Sequence, residues 1–332
     1  MASPNGSAPA ASPRFQGAIT ALVTPFDADG SLDEAAFRRL VEFQCGAGID
    51  GLLPCGTTGE SPTLSEAERD RLLVASVEIA DRRIGGKRPA VIAGTGTNDT
   101  AASIRLTKRA AQLGADAALV VAPYYNKPDG RMMEAHFRAI ADGGGLPVVV
   151  YNVPGRTASN IEADVFLRTA EHPRIVAVKE ASANLEQIAR ICRDRPDHVT
   201  VLSGDDAWTL AVLAMGGHGV ISVASNEIPA EMTALCAAGL AGDFAAALRL
   251  HERFLPLMFG NFKGGPNPVP LKAAMQLLGL IESDTLRQPL LAMEDKARAG
   301  MAATLREVGL LDAAGRRVSA PVAAGAAGAA RP

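Results

Sequence analysis

Residues that build metal centres and disulfide frameworks are scarce in this sequence. Its 332 residues include four cysteines and five histidines, scattered along the chain without the short spacings of metal ligands or of a Cys-x-x-Cys motif. We therefore expect no metal and no disulfide framework. The dispersed cysteines suit the reducing environment of the cytoplasm.

Long apolar runs and an excess of positive charge are also missing. No stretch reaches the roughly 20 apolar residues of a membrane-spanning helix, and the formal net charge is −3. We expect no membrane span and no electrostatic attraction to nucleic acid or to an anionic membrane. The hydrophobic fraction of 48% and the charged fraction of 21% are typical of a globular enzyme with a sizeable core.

Both ends of the chain are poor in large apolar residues. Residues 1–14 are rich in Ser, Pro and Ala and lack the apolar centre of a signal peptide. Residues 319–332 consist almost wholly of Ala, Gly and Pro. We predict disordered tails at residues 1–14 and 313–332, because such segments bury too little apolar surface to fold.

Between the tails, eight short apolar runs alternate with longer segments of helical spacing. The runs are rich in branched residues and do not alternate with polar ones, which is typical of strands buried on both faces of a parallel sheet. Two capping boxes, Ser31 with Glu34 and Ser65 with Glu68, predict that helices begin after the first two strands. The predicted strands are Ala18–Val23, Gly51–Pro54, Ala90–Ala93, Ala117–Val121, Val148–Tyr151, Ile175–Lys179, Val199–Ser203 and Gly219–Val223.

This alternation predicts an α/β fold. Parallel strands need helical crossovers, and eight such units suit a (β/α)8 TIM barrel. We place the barrel at residues 15–228 and a C-terminal helical extension at residues 229–312. An open doubly wound sheet is the alternative, although no Gly-x-Gly-x-x-Gly follows the first strand.

Polar side chains collect where the predicted strands end. These positions are carboxyl ends of strands, and barrel enzymes build their active sites on that face. The chain has three tyrosines, and all of them lie there. The segments concerned are Gly56–Ser61, Pro123–Asn126, Tyr151–Thr157, Val178–Glu180 and Ser203–Asp206.

Lys179 ends the sixth predicted strand, directly after four apolar residues. Burial favours the neutral form of a lysine, and a neutral amine can attack a ketone. The alternative is an ion pair with Glu180, although neighbouring residues on a strand point to opposite faces. His218 precedes the eighth strand, so we expect it at the opposite rim with a structural role.

The other candidates each have a simpler alternative. Thr57 and Thr58 lie between glycines, where amides and hydroxyls can hold a carboxylate, but the same residues suit an ordinary turn. Tyr125 and Tyr151 can relay protons or can merely pack at the barrel mouth. Arg156 can bind a carboxylate through two parallel hydrogen bonds, whereas a lone loop arginine is often a solvated surface residue.

Taken together, these strand-end residues resemble the dihydrodipicolinate synthase / N-acetylneuraminate lyase family of class I aldolases. The likeness extends from about residue 17 to residue 311. Its most specific parts are the Gly56–Ser61 loop and the Tyr-Asn-x-Pro…Lys arrangement from Tyr151 to Lys179. Three further segments agree with the family: Ser203–Ala207, Gly219–Val223 and Asn267–Lys272.

The resemblance implies a lyase that condenses pyruvate with L-aspartate 4-semialdehyde, in the diaminopimelate route to lysine, without a cofactor. Lys179 matches the lysine that forms a Schiff base with pyruvate. Tyr151, Thr57 and Tyr125 match a proton relay, in which the tyrosine at the Tyr125 position reaches in from a neighbouring subunit. The family arrangement therefore implies a homotetramer built from two dimers.

Four more residues match substrate-binding positions of the family. Thr58 matches the residue that holds the pyruvate carboxylate, and Arg156 matches the one that binds the carboxylate of aspartate semialdehyde. Gly204 and Ile221 match positions that line the pocket through backbone groups. The implied partners are therefore small molecules.

Ser61, Asn98 and Tyr124 match an allosteric cleft at which lysine inhibits some family members. Two further positions depart from that pattern. Ala102 stands where inhibited members have an acidic residue, and Arg69 stands where they have a histidine. We therefore expect a remnant of the cleft and weak inhibition by lysine, or none.

Two other functions compete with this interpretation. A paralogue could use the same Schiff base with another aldehyde or with a sugar acid. Arg156 argues for the short acidic acceptor, because the sialic acid lyases lack an arginine at this position. A non-catalytic barrel that acts as a binding protein is disfavoured by the intact Lys179, Tyr151 and Thr57.

Overall fold

The computed structural model describes residues 15–318. The predicted tail at residues 1–14, and the second predicted tail from residue 319 onward, lie outside the described residues. Eight parallel strands pair in chain order, and the eighth pairs with the first to close a barrel. The predicted (β/α)8 barrel is confirmed, and the alternative of an open sheet is wrong.

The strands are short, and their alternate residues face the barrel interior and the surrounding helices. On the fifth strand, Val149 and Tyr151 belong to the interior cluster, whereas Val148 and Val150 pack under the helices. Both faces are apolar, which is why the runs in the sequence do not alternate. The strands are β1 (Gly17–Ala21), β2 (Gly51–Leu53), β3 (Ala90–Gly94), β4 (Ala117–Val121), β5 (Val148–Asn152), β6 (Ile175–Glu180), β7 (Thr200–Ser203) and β8 (Gly219–Ser222).

The pairing of β5 with β6 contains one irregularity. The register shifts after Val148, so that Tyr151 pairs with Lys179. On β6, Val176 and Ala177 both pack on the interior cluster, as expected where a strand accommodates an extra residue. Tyr151 and Lys179 therefore lie side by side on the inner face.

Helices alternate with the strands on the outside of the barrel. The second one begins with the predicted capping box of Ser65 and Glu68, which is confirmed. The helices are α1 (Glu34–Gly46), α2 (Glu66–Asp81), α3 (Thr100–Gln112), α4 (Gly130–Gly143), α5 (Pro154–Thr157), α6 (Ala163–Ala170), α7 (Leu185–Asp194), α8 (Thr209–Ala214), α9 (Pro229–Leu240), α10 (Phe244–Gly260), α11 (Val269–Leu277) and α12 (Asp295–Glu307).

The start of the first helix differs from the prediction. α1 begins at Glu34, and the side chain of Asp33 caps it by accepting a hydrogen bond from the Ala36 amide at 2.8 Å. The Ser31 hydroxyl instead donates to Asp29 at 2.6 Å. The predicted capping box of Ser31 with Glu34 is therefore wrong. Asp33 directly precedes the helix, and its charge is favourable at a helix N-terminus.

The helices after β8 complete the barrel wall and add a C-terminal layer. α9 packs against β1 and α8, α10 packs against α9, and α12 packs against α10 and α11. The division of the chain at residue 229 stays a prediction. Of the second predicted tail, residues 313–318 are described, and Arg317 forms a β-bridge with Leu311. Across residues 15–318, every helix is too short or too polar to cross a bilayer.

Candidate active site

Three of the predicted catalytic residues meet at the carboxyl ends of the strands. The Lys179 Nζ lies 4.2 Å from the centroid of the Tyr151 ring. The Thr57 side chain, from the loop after β2, lies near the Tyr151 hydroxyl and lowers the pKa of the phenol. Because β2, β5 and β6 run parallel, the segments that follow them open on the same face of the barrel.

Lys179 occupies a site that favours the neutral amine. Its side chain is 5% exposed, and burial is the main cause that lowers the pKa of the amine to about 8. The charge of Asp206 opposes this change, the charge of Arg156 adds to it, and that of Asp205 opposes it. A large share of the amine is therefore neutral near pH 8, as attack on a carbonyl requires.

Glu180 does not pair with Lys179. Its carboxylate accepts hydrogen bonds from the Ser182 amide at 2.7 Å and from the side chains of Asn152 and Gln187 at 3.1 Å. Adjacent strand residues point to opposite faces, so Glu180 faces away from the barrel interior. The alternative of a Lys179–Glu180 ion pair is therefore wrong.

Tyr151 is protonated at neutral pH. Burial raises the pKa of its phenol to about 12, although the charge of Arg156 and the hydrogen bond with Thr57 act in the opposite direction. The phenol can therefore exchange protons with a neighbouring hydroxyl such as that of Thr57, but it is not a free base. A pair of hydroxyls avoids the cost of a charged base in a buried site.

Two predicted pocket residues adjoin this group. Gly204 lies against the lysine: a Cβ at this position would be 3.1 Å from Lys179 Cγ and 2.7 Å from Ala181 Cβ. A side chain at Gly204 would therefore displace the lysine stem. Ile221 is fully buried on β8, in the same interior cluster as Tyr151.

Thr58, the predicted ligand of the pyruvate carboxylate, is almost fully buried. Its Oγ1 accepts a hydrogen bond from Asn267 Nδ2 at 3.0 Å. This contact fixes the threonine hydroxyl from the C-terminal part of the chain. The family likeness of the segment around Asn267 did not indicate this contact.

A cavity of about 520 Å³ opens beside the threonine loop. Its lining includes Thr57 and Arg156, together with Ser61 and Tyr124 of the predicted allosteric cleft. Asn98, the third residue of that cleft, donates a hydrogen bond to the Tyr124 carbonyl at 3.3 Å. One cavity therefore connects the predicted acceptor-binding residue with the predicted remnant cleft.

Tyr125 is the predicted catalytic residue that the chain does not place in this buried group. Its side chain is 88% exposed. Its φ of 74° lies in the left-handed region, which is uncommon for a residue with a side chain. A catalytic role for Tyr125 therefore requires contact with another chain.

Asp206 lies next to the site, although no role for it was predicted from the sequence. Its Oδ2 accepts hydrogen bonds from the amides of Val223 at 3.0 Å and Ala224 at 2.9 Å. These contacts tie the segment after β7 to the turn after β8 and hold a negative charge near Lys179. The sequence does contain one indication of this position, since Asp205 and Asp206 follow the carboxyl end of β7.

The comparison with known families agrees with this geometry. The model of the dihydrodipicolinate synthetase family matches residues 14–308. The chain belongs to the dihydrodipicolinate synthetase family. It is an enzyme of the lyase type, so the alternative of a non-catalytic barrel is wrong.

Two relatives of similar length carry the same name. The 4-hydroxy-tetrahydrodipicolinate synthase of Koribacter versatilis is 47% identical over 299 residues, which cover 90% of this chain and 97% of the relative. The enzyme of the same name from Syntrophobacter fumaroxidans is 48% identical over 297 residues, which cover 90% of this chain and 100% of the relative.

Three solved structures share the fold. A dihydrodipicolinate synthase from Acinetobacter baumannii, complexed with pyruvate, has a TM-score of 0.85 at 37% identity and covers 89% of this chain and 99% of its own. The enzyme from Cyanidioschyzon merolae, with lysine bound, has a TM-score of 0.85 at 40% identity, and the match covers 90% of this chain and 100% of that one. A monomeric dihydrodipicolinate synthase variant has a TM-score of 0.85 at 40% identity, and the match covers 90% of this chain and 98% of that one.

The lowered pKa of Lys179 can be tested by competitive acetylation. With limiting acetic anhydride and peptide mass spectrometry at a series of pH values, we expect the reactivity of Lys179 to rise through a midpoint near 8. Solvated lysines of the same chain serve as internal controls, and their reactivity should rise with a midpoint at about pH 10.4. Arg156→Ala removes a charge that lowers this pKa, so the Lys179 midpoint moves upward. A Lys179 midpoint equal to that of the solvated lysines would contradict the assignment.

Proposed function

We propose that the chain condenses pyruvate with L-aspartate 4-semialdehyde through a Schiff base on Lys179. The product is 4-hydroxy-tetrahydrodipicolinate, and the reaction is the first committed step of diaminopimelate and lysine biosynthesis. The observation that carries the proposal is the buried Lys179 amine, with a pKa of about 8, 4.2 Å from the centre of the Tyr151 ring, with Thr57 near the phenol. The name shared by the relatives supports the same reaction.

The first half of the reaction converts pyruvate into a nucleophile. The neutral amine of Lys179 attacks C2 of pyruvate, and loss of water gives an imine. Thr58 holds the pyruvate carboxylate, while Tyr151 and Thr57 move the protons. The imine withdraws electrons, so the methyl group loses a proton and becomes the reactive carbon of an enamine. The imine is itself the electron sink, so the step needs no cofactor.

The second half joins the enamine to the acceptor. The enamine carbon attacks the aldehyde, and the amino group of the acceptor then displaces Lys179 as the ring closes. Arg156 lines the cavity next to the threonine loop and binds the acceptor carboxylate. Gly204 leaves room for the lysine stem, and the backbone of Ile221, a buried residue of β8, completes the pocket. Arg156 favours a short acidic acceptor over a sugar acid.

We propose that the enzyme is a homotetramer built from two dimers, in which Tyr125 completes the proton relay of a neighbouring subunit. The exposure of Tyr125 supports this role, since the side chain is available to a second chain. We also propose a cytoplasmic location. The four cysteines are free, which suits a reducing compartment.

Lys179→Ala tests the covalent step. We expect the variant to lose the pyruvate-dependent mass gain after borohydride reduction, and its turnover to fall by several orders of magnitude, because the nucleophile is gone. Intact-protein mass spectrometry measures the gain, with omission of pyruvate as a control and Lys127→Ala as an exposed-lysine control. Trapping at another lysine of the wild type would overturn the assignment.

Arg156→Ala tests the choice of acceptor. Loss of a charge-assisted contact costs about 1.5–3 kcal/mol, so kcat/KM for aspartate semialdehyde should fall at least roughly tenfold. The rate of pyruvate adduct formation, measured at about pH 9 where most of the Lys179 amine is neutral, should change far less. Arg39→Ala, at an exposed arginine on α1, is the control. Equal losses in both steps would show that Arg156 is structural.

A hybrid experiment tests the shared site. Tyr125→Phe and Lys179→Ala chains are each expected to have little activity, but mixed oligomers contain sites with one intact Lys179 and one intact Tyr125. Co-expression with two purification tags should therefore restore activity in the hybrid fraction. Sedimentation at assay concentration gives the assembly state, and a fully active monomer would contradict the proposal.

We propose that the remnant cleft of Ser61, Asn98 and Tyr124 binds free lysine weakly or not at all. The guanidinium of Arg69 donates to the carbonyls of Ser61 at 2.6 Å and Gly94 at 3.1 Å, and it lines the same cavity as Ser61 and Tyr124. Its permanent charge therefore lies where a cationic ligand would bind.

The carboxylates best placed to compensate are engaged elsewhere. Glu66 forms an ion pair with Arg105 at 3.2 Å. Asp99 caps α3 by accepting a hydrogen bond from the Ala101 amide at 2.9 Å. Ala102, in the first turn of α3, offers no charge at all.

We therefore expect lysine at about 1 mM to leave the steady-state rate unchanged. The missing carboxylate and the added charge of Arg69 should together weaken binding at least roughly a hundredfold. The enzyme of Cyanidioschyzon merolae, whose structure has lysine bound, is assayed in parallel for comparison. Ala102→Glu combined with Arg69→His should create sensitivity. Half-inhibition of the wild type below about 1 mM would contradict the proposal.

A further inference from the structure

We infer that Glu60 and Lys272 form a positioning pair, through which the C-terminal helices hold the loop that carries Thr57 and Thr58. The inference rests on the proposed function, because it assigns the pair an effect on the pyruvate steps. Glu60 belongs to the loop after β2, and Lys272 lies on α11. Neither side chain lines the cavity that Thr57 and Arg156 share, so both act through the loop.

The two side chains form a buried ion pair with further partners. Lys272 Nζ lies 2.5 Å from Glu60 Oε1, and the two side chains are 0% and 1% exposed. Lys272 Nζ also donates to the Thr285 carbonyl at 2.8 Å and lies 4.3 Å from the centroid of the Phe26 ring. The other oxygen of Glu60 accepts a hydrogen bond from the Arg287 amide at 3.0 Å. Glu60 is therefore held by two separate parts of the C-terminal region.

The backbone of Glu60 transmits this restraint to the threonines. Its amide donates to the Thr57 carbonyl at 3.1 Å. Its φ of 54° lies in the left-handed region, a conformation that a residue with a side chain keeps when its surroundings impose it. The Thr58 hydroxyl is fixed independently by Asn267, from the same C-terminal segment as Lys272. Both threonines are thus positioned from one side.

Stability alone does not account for such a pair. A buried ion pair can often be replaced by apolar groups without loss of stability, whereas removal of one partner leaves an uncompensated buried charge. Catalysis is more sensitive to position, since a displacement of about 1 Å can lower a rate roughly a hundredfold. The expected signature is therefore a variant that recovers stability but not catalysis.

The test compares Glu60→Gln, Lys272→Met and the double variant in the full-length enzyme. Each single variant should be destabilised by the remaining charge, and the double variant should regain most of that loss in urea unfolding. In the double variant we expect the rate of pyruvate adduct formation, trapped with borohydride, to stay at least roughly tenfold below that of the wild type. Amides 57–61 should also exchange hydrogen faster than in the wild type.

The control is the partly buried ion pair of Arg88 with Asp116, whose charged atoms are 2.5 Å apart near the amino ends of β3 and β4. Its double replacement, Arg88→Met with Asp116→Asn, should leave adduct formation and exchange at 57–61 unchanged. Recovery of the adduct rate together with stability in the Glu60/Lys272 double variant would overturn the inference. Absence of any pyruvate adduct in the wild type would instead refute the proposed function. In that case the hydrogen exchange of amides 57–61 still tests the positioning pair, and unchanged exchange in the double variant would refute it.

Discussion

The rest of the site depends on one constraint, which is that the Lys179 amine is buried away from water. β6 is buried on both faces, so its last residues carry the lysine into the barrel mouth without exposing the amine. The ammonium form loses its hydration there, and the pKa falls to about 8. The neighbouring charges then moderate the effect. The charge of Arg156 lowers the pKa of Lys179, whereas the charge of Asp206, which accepts hydrogen bonds from two backbone amides, raises it.

Residues from distant parts of the chain position Lys179, Tyr151 and Thr57. The lysine and Tyr151 come from adjacent strands, and their distance is set by sheet pairing. Thr57 comes from a loop whose conformation depends on contacts with residues far along the sequence, among them Asn267 and Lys272. The helices that follow the eighth strand thus contribute to the geometry of the site as well as to the core.

The sequence predicted the parts of the molecule that depend on local patterns. Strands buried on both faces are continuous apolar runs, so all eight were found, and Lys179 was conspicuous as the ionisable end of one run. The capping box at Ser31 failed because Asp33, nearer to the helix, competes for the same role. The contact of Asn267 with Thr58 could not be predicted, since no local pattern reports which distant segments meet.

The register shift between β5 and β6 decides which way the Lys179 amine faces. With unbroken pairing, Tyr151 would lie opposite Val178, and Lys179 would share the face of Asn152, toward the helices. The extra residue accommodated at Val176 moves the following part of the strand by one position and turns the lysine inward. The orientation of Lys179 thus depends on the number of residues that precede it in the strand. Deletion of Val176 alone would turn the lysine toward the helices, although every residue of the proposed site would remain in the sequence.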